Sequence, residues 1–269
     1  MSAFFELFCA DCIKKLEDLP EDTFDMIFAD PPYFLSTNSN TCKSGKFAPV
    51  TKGEWDKSNG VENDFEFHKA WLKACKRVLK PNGTIWVSGT YHSIYQCGFA
   101  MQLLGFCILN EVIWFKPNAS PNLGRRCFTA SHETLIWAKK TKKAKHYFDY
   151  DLMKNGNWEH DFIKKPNKQM RSVWSISTVP PKEKLFGKHP TQKPEALLER
   201  IILASTREND LILDPFVGSG TTGVIAKKLN RRFVGIDNNQ EFISLATKRI
   251  SEIVEQKILE GVLGECKYS

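Results

Sequence analysis

The segment from Leu211 to Asp237 constrains the fold more than any other part of the chain. Leu211 to Asp214 has the length and apolar character of a buried strand, Thr221 to Leu229 has helical spacing, and Phe233 to Asp237 is a second strand. Two strands joined through one short helix lie parallel in a sheet. The linker Pro215-Phe216-Val217-Gly218-Ser219-Gly220 is glycine-rich, so the backbone can turn tightly and approach a ligand closely.

The same alternation extends upstream. Residues 25–29 read as a short buried strand after an amphipathic helix at 13–19. Residues 65–79 read as a helix that Pro81-Asn82-Gly83 closes, 84–88 as a strand, 93–104 as a helix, and 107–115 and 134–138 as strands. Residues 194–205 form a helix with Pro194 at its start, and 241–259 a long final helix. This rhythm predicts an α/β protein with a doubly wound, mostly parallel sheet. Two stretches break it. Residues 34–63 are rich in Ser, Thr, Asn, Gly and Lys and read as a long mobile loop. Residues 139–188 are basic, aromatic and irregular, and read as an insert outside the sheet. The expected division is therefore 1–138, the insert 139–188, and 189–269, the outer two parts forming one domain.

Charge adds a second constraint. Lys and Arg exceed Asp and Glu by 38 to 31, with five lysines between Lys139 and Lys145 and then Lys164, Lys165, Lys168 and Arg171. Such runs are either a solvated face or a surface for nucleic-acid phosphates. Tyr147, Tyr150, Trp158 and Trp174 lie among them, as faces for unpaired bases or as a small core for the insert. No apolar run has the roughly 20 residues that span a bilayer, and residues 1–8 lack the character of a signal peptide, so a cytoplasmic location is expected. Of eight cysteines, Cys9 and Cys12 form one CxxC, but no second pair completes a zinc site, and no metal is expected.

Three strand ends carry unusual residues, and a doubly wound sheet binds ligands at the carboxyl ends of its strands. Asp214, with Gly218 to Thr222 after it, offers a carboxylate and the unpaired N–H groups of a helix start. Asp237 ends the next strand, where a carboxylate can hold a ribose diol or cap the following helix. Asp30-Pro31-Pro32-Tyr33 ends the 25–29 strand. A carboxylate and a proline-fixed carbonyl can accept the two protons of a conjugated amino group, so that its nitrogen lone pair points at an electrophile, and Tyr33 offers a stacking face. Taken alone, Pro-Pro here is only a stiff turn.

With these motifs in this order, the chain resembles the beta class of DNA amino-methyltransferases, a circularly permuted group in which the Asp-Pro-Pro-Tyr site precedes the glycine turn. Within the class it is most similar to the DpnA-like second adenine methyltransferases of DpnII-type GATC restriction-modification systems. Supporting segments are Phe28 to Ser36, Gly187 to Pro194 with His189-Pro190-Thr191-Gln192-Lys193-Pro194, and Leu198 to Thr206. The resemblance implies a bacterial enzyme with a Rossmann-like fold and S-adenosylmethionine as cofactor. It implies methylation of adenine N6 in double-stranded, and also single-stranded, DNA, and a homodimer. Asp30, Pro31, Pro32 and Tyr33 would be catalytic. Asp214 would take the methionine amino group, Phe216, Gly218, Ser219, Gly220, Thr221 and Thr222 would surround its carboxylate, and Asp237 would hold the ribose. Asp11 would accept from the cofactor's adenine beside Cys12, while Thr191, Gln192 and Lys193 would complete the carboxylate end. N4-cytosine methylation shares this chemistry, although Asp rather than Ser at position 30 favours adenine. A non-catalytic nucleic-acid-binding protein on the same scaffold is the other alternative.

Overall fold

Successive strand residues face two different helical layers. Ile27 and Ala29 point into one core with Ile85, Val87, Leu213, Val234 and Ile236. Met26 and Phe28 point into the other with Trp86, Ile212 and Phe233. The period of two along each strand is what a sheet covered on both faces requires.

The computed structural model describes residues 4–34, 40–43, 46–49, 56–158, 161, 163–184, 186–187 and 190–263. In chain order the elements are β1 (Phe5–Cys9), α1 (Cys12–Asp18), β2 (Phe24–Ala29), β3 (Asn40–Lys43), β4 (Lys46–Pro49), α2 (Val61–Val78), β5 (Leu79–Gly89), α3 (Ile94–Leu103), β6 (Cys107–Phe115), β7 (His132–Lys139), α4 (Tyr150–Asn155), β8 (Val173–Ser175), α5 (Glu195–Ser205), β9 (Leu211–Asp214), α6 (Thr221–Lys228), β10 (Arg232–Asp237) and α7 (Gln240–Leu263). Eight strands form the main sheet in the order β1-β10-β9-β2-β5-β7-β6-β8. Strands β1, β10, β9, β2 and β5 are mutually parallel, whereas β7 is antiparallel to both of its neighbours. The doubly wound architecture expected from the sequence is present, with α1, α2 and α3 supplying Leu16, Trp71, Leu72, Cys75 and Met101 to one layer and α5, α6 and α7 supplying Leu198, Ile202, Val224, Ala246 and Ile250 to the other.

Three local readings change. Part of the 34–63 segment pairs as the β3–β4 hairpin, while much of the rest of that expected loop lies outside the described residues. Pro81-Asn82-Gly83 does not close a helix in a separate turn, because β5 already begins at Leu79. The segment after Lys139 is not wholly outside the sheet, since β8 pairs with β6 and Trp174 is buried in the core beside Trp86 and Trp137. A buried ion pair fastens this segment to α5: Arg200 donates to Asp161 at 2.6 Å, with its guanidinium over the Trp158 and Trp174 rings. Asp161 also accepts from Ile163 and Ser175 N–H, so its charge is well satisfied.

Candidate active site

One cavity opens at the carboxyl ends of β1, β2, β9 and β10, lined by Asp11, Cys12, Asp30, Pro31, Pro32, Tyr33, Thr191, Gln192, Lys193, Asp214, Phe216, Gly218, Ser219, Thr221, Thr222 and Asp237 among others. Every residue that the sequence offered as catalytic or cofactor-binding lines it except Gly220. That glycine shapes the turn instead, with φ at +78° and the site of a Cβ only 2.7 Å from Ala246 Cβ. A side chain there meets both a left-handed backbone and the face of α7.

At the glycine turn, Asp214 is buried and accepts from the Phe216 N–H at 3.0 Å and the Thr222 hydroxyl at 2.6 Å. Burial pushes its carboxyl up to about 7, and the nearby charges of Asp30 and Asp237 push the same way. Asp237 accepts from Gly218 N–H and Asn239 N–H, both at 2.9 Å. The capping role open in the sequence belongs to Asn239, whose side chain accepts from Glu241 N–H ahead of α7. Asp237 instead ties the glycine turn to the end of β10. Asp11 is the N-cap of α1, accepting from Lys14 N–H at 3.0 Å with one of its two oxygens. The Cys12 thiol beside it is pushed up to about 12, chiefly by burial, so it stays protonated.

Across the cavity, Asp30 is held by Lys193 at 2.5 Å and by the Tyr33 hydroxyl at 2.5 Å. Lys193 was expected to complete the carboxylate end of the cofactor site; it lines the cavity, with its ammonium on Asp30 and further contacts to the Tyr33 oxygen and Glu133. Gln192 donates to the Glu183 carbonyl, and Thr191 lines the cavity. His189 lies outside the described residues.

Glu133 with its partner Lys116, Ser88 and Asp56 were not foreseen. Glu133, at the start of β7, contacts the Tyr33 hydroxyl, Lys193 and Lys116. Ser88 lies 3.2 Å from the same hydroxyl. Asp56, fully buried, accepts from Tyr33 N–H and so fixes the turn after Pro32. A charged residue heading an apolar strand, as Glu133 does, was the one available signal, but its partners lie 100 and 60 positions away in sequence (Tyr33 and Lys193).

Of the four aromatics offered for base stacking, Trp174 is core, Trp158 is half-buried against Arg200, and Tyr147 lies 3.9 Å from the Arg207 guanidinium. Only Tyr150 is exposed, so most of the set serves the insert's packing.

Residues 24–248 match the N6/N4 methyltransferase family, described as DNA methylase. The chain belongs to this DNA methylase family. The methyltransferase is 53% identical over 242 residues to the type II methyltransferase M2.DpnII of Streptococcus pneumoniae, covering 90% of this chain and 87% of the relative. It is 52% identical over 244 residues to M2.LlaDCHI of Lactococcus lactis subsp. cremoris, covering 90% and 88%. Among solved structures, the M1.HpyAVI–SAM complex aligns with a TM-score of 0.66 at 28% identity, over 91% of this chain and 98% of that one. The cytosine-N4-specific PvuII DNA methyltransferase aligns with a TM-score of 0.70 at 20% identity, over 96% and 94%, a likeness of fold. Among the described residues no helix is long and apolar enough to cross a membrane, and no cluster of His, Cys, Asp and Glu can hold a metal ion.

Proposed function

We propose that this DNA methyltransferase methylates N6 of adenine in GATC, as the modification enzyme of a restriction-modification system. One observation carries the reading: the Asp30-Pro31-Pro32-Tyr33 turn and the Asp214–Thr222 glycine turn face the same cavity. Asp at position 30 favours adenine over cytosine, and the type II relatives of DpnII character support the target sequence.

S-adenosylmethionine is the methyl donor, and the residues fit it. A buried carboxylate driven up to about 7, with Asp30 and Asp237 as acidic neighbours, is stabilised by an arriving ammonium group. Asp214 would hold the methionine amino group, the N–H groups opening α6 its carboxylate, Asp237 the ribose and Asp11 the adenine. When bound, the cofactor supplies an electrophilic methyl carbon. Asp30 and the proline-held carbonyl accept the two protons of the target amino group, which localises the nitrogen lone pair. The carboxylate has about four acceptor sites, of which Lys193 and Tyr33 occupy two, so capacity remains. Asp30 then receives the proton that the alkylated nitrogen sheds. The base leaves the duplex to reach it.

Asp237→Ala is expected to weaken S-adenosylmethionine binding by about 1.5–3 kcal/mol, the scale of hydrogen bonds lost to a charged group. Calorimetry checks this, and DNA affinity should barely change. Mapping methylated positions in DNA from cells expressing the protein tests the whole reading: methylcytosine, or no mark at all, overturns it. Single-stranded GATC is a second substrate on this reading, because an unpaired adenine avoids the cost of flipping. Transfer confined to duplex oligonucleotides would remove that part. The proposal includes a homodimer, for which Tyr95, Phe99 and Leu103 form an exposed stripe along α3; sedimentation equilibrium tests it.

A further inference from the structure

We propose that Glu133 is a positioning residue for methyl transfer, acting on Asp30 through Lys193 and the Tyr33 hydroxyl. The inference rests on the reading of Asp30 as the acceptor of the target amino protons, and adds a residue to it.

Tyr33 and Lys193 each touch both Asp30 and Glu133. Tyr33 has one hydroxyl proton, and the nearest acceptor is Asp30 Oδ1 at 2.5 Å, ahead of Glu133 Oε2 at 3.1 Å. Lys193 Nζ reaches Asp30 Oδ2 at 2.5 Å, the Tyr33 oxygen at 3.1 Å and Glu133 Oε2 at 3.4 Å. The other Glu133 oxygen takes Lys116 at 3.2 Å. Two carboxylates and two ammonium groups thus balance, with side chains only 6–16% exposed. Between side chains this little exposed charges act strongly on one another.

Glu133 therefore shares Lys193 with Asp30. Without that competition the Lys193 ammonium acts on Asp30 alone and lowers its capacity to accept protons. Burial holds the Asp30 carboxyl above its usual range, Lys193 and the Tyr33 hydrogen bond pull it down, and Glu133 pushes it back up. Of the other charged groups near this network, Asp214 faces Asp30 across the cavity, Lys116 stands behind Glu133, and Asp56 holds the Tyr33 N–H.

The geometry also explains how Glu133 reaches the site. Strand β7 runs against its neighbours, with Thr134 paired to Gly89 at the carboxyl end of β5. Its first residues, rather than its last, lie at the edge where the cavity opens.

The signs are opposite for the two groups flanking this network. Glu133→Gln removes a negative charge, so Asp30 titrates lower and the acid limb of the transfer rate moves down by about one pH unit. A one-unit change is tenfold in proton affinity, so the plateau rate should fall by up to about tenfold. Lys116→Gln removes a positive charge, and its acid limb should move up. A residue that only held the fold would not give opposite shifts.

The test is single-turnover transfer of labelled methyl groups from saturating S-adenosylmethionine to plasmid DNA from a host without amino-methylation, from about pH 5 to 9. Opposite shifts, with cofactor affinity within about twofold of wild type, support the proposal. Limbs that stay at the wild-type position, or that move together, overturn it. If Glu133→Gln does not fold, Glu133→Asp should keep the wild-type limb while Lys116→Gln still raises it; any other pattern overturns the proposal. Asp30→Asn separates the two levels. Wild-type activity in that variant overturns the Asp30 reading itself, whereas an inactive Asp30→Asn with an unmoved Glu133→Gln overturns only the role of Glu133.

Discussion

Replacing Asp30 by alanine is expected to slow methyl transfer by at least ~100-fold, the usual scale for removing one preorganised polar group from a reaction centre. The expectation follows from its position at the end of β2, where the carboxylate is oriented from two sides by Lys193 and the Tyr33 hydroxyl. Such a group needs no reorganisation when the base arrives. S-adenosylmethionine affinity should stay within a few fold, since Asp214, Asp237 and the glycine turn are untouched. Lys193 keeps Glu133 as a counter-charge in the variant, so its ammonium is not left buried and alone. Single-turnover rates and calorimetry on the same preparation separate the two quantities. Near wild-type transfer by Asp30→Ala would remove the proposed mechanism.

Asp214→Asn should have the second large effect, weakening S-adenosylmethionine by about 2–5 kcal/mol, as expected when one member of a buried charge pair is removed. Binding by the wild type should also depend on pH. The Asp214 carboxyl sits at about 7 in the cofactor-free protein, so below that pH an ammonium must first displace a proton. Affinity should therefore fall by up to about tenfold per pH unit below 7, a dependence the variant should lack. Stability has the opposite sense. A carboxylate raised above its unfolded value of roughly 3.9 contributes stability that is full below that value and lost as pH rises through about 7. Cofactor-free Asp214→Asn should accordingly melt above the wild type at pH 8, with the advantage gone near pH 4. Unchanged cofactor affinity in calorimetry would mean that this carboxylate does not meet the amino group.

Local sequence determined the parts whose causes are local. The apolar runs at 25–29, 211–214 and 233–237 became central strands because each is short, continuous and bounded by polar or turn residues. Asp30, Asp214 and Asp237 could be picked out because each follows or ends such a strand, and parallel strands deliver their ends to one edge. The glycine turn was legible for the same reason, since its backbone needs are set within a few residues.

Tertiary structure decided what depends on strand direction and on partners distant in sequence. A strand reads the same in either direction, so nothing in residues 132–139 announced that β7 reverses and brings Glu133 rather than Lys139 to Tyr33 and Lys193. Lys193 lay next to the right helix in the sequence, but its bond to Asp30 depends on how the start of α5 is set against the end of β2, over a separation of 163 residues. Trp174 and Val173–Ser175 became core and edge strand because β6 left a sheet edge for them to pair with. Composition specified that the segment after Lys139 is basic and aromatic; which of its aromatic faces stayed exposed was settled only by what the others had to bury.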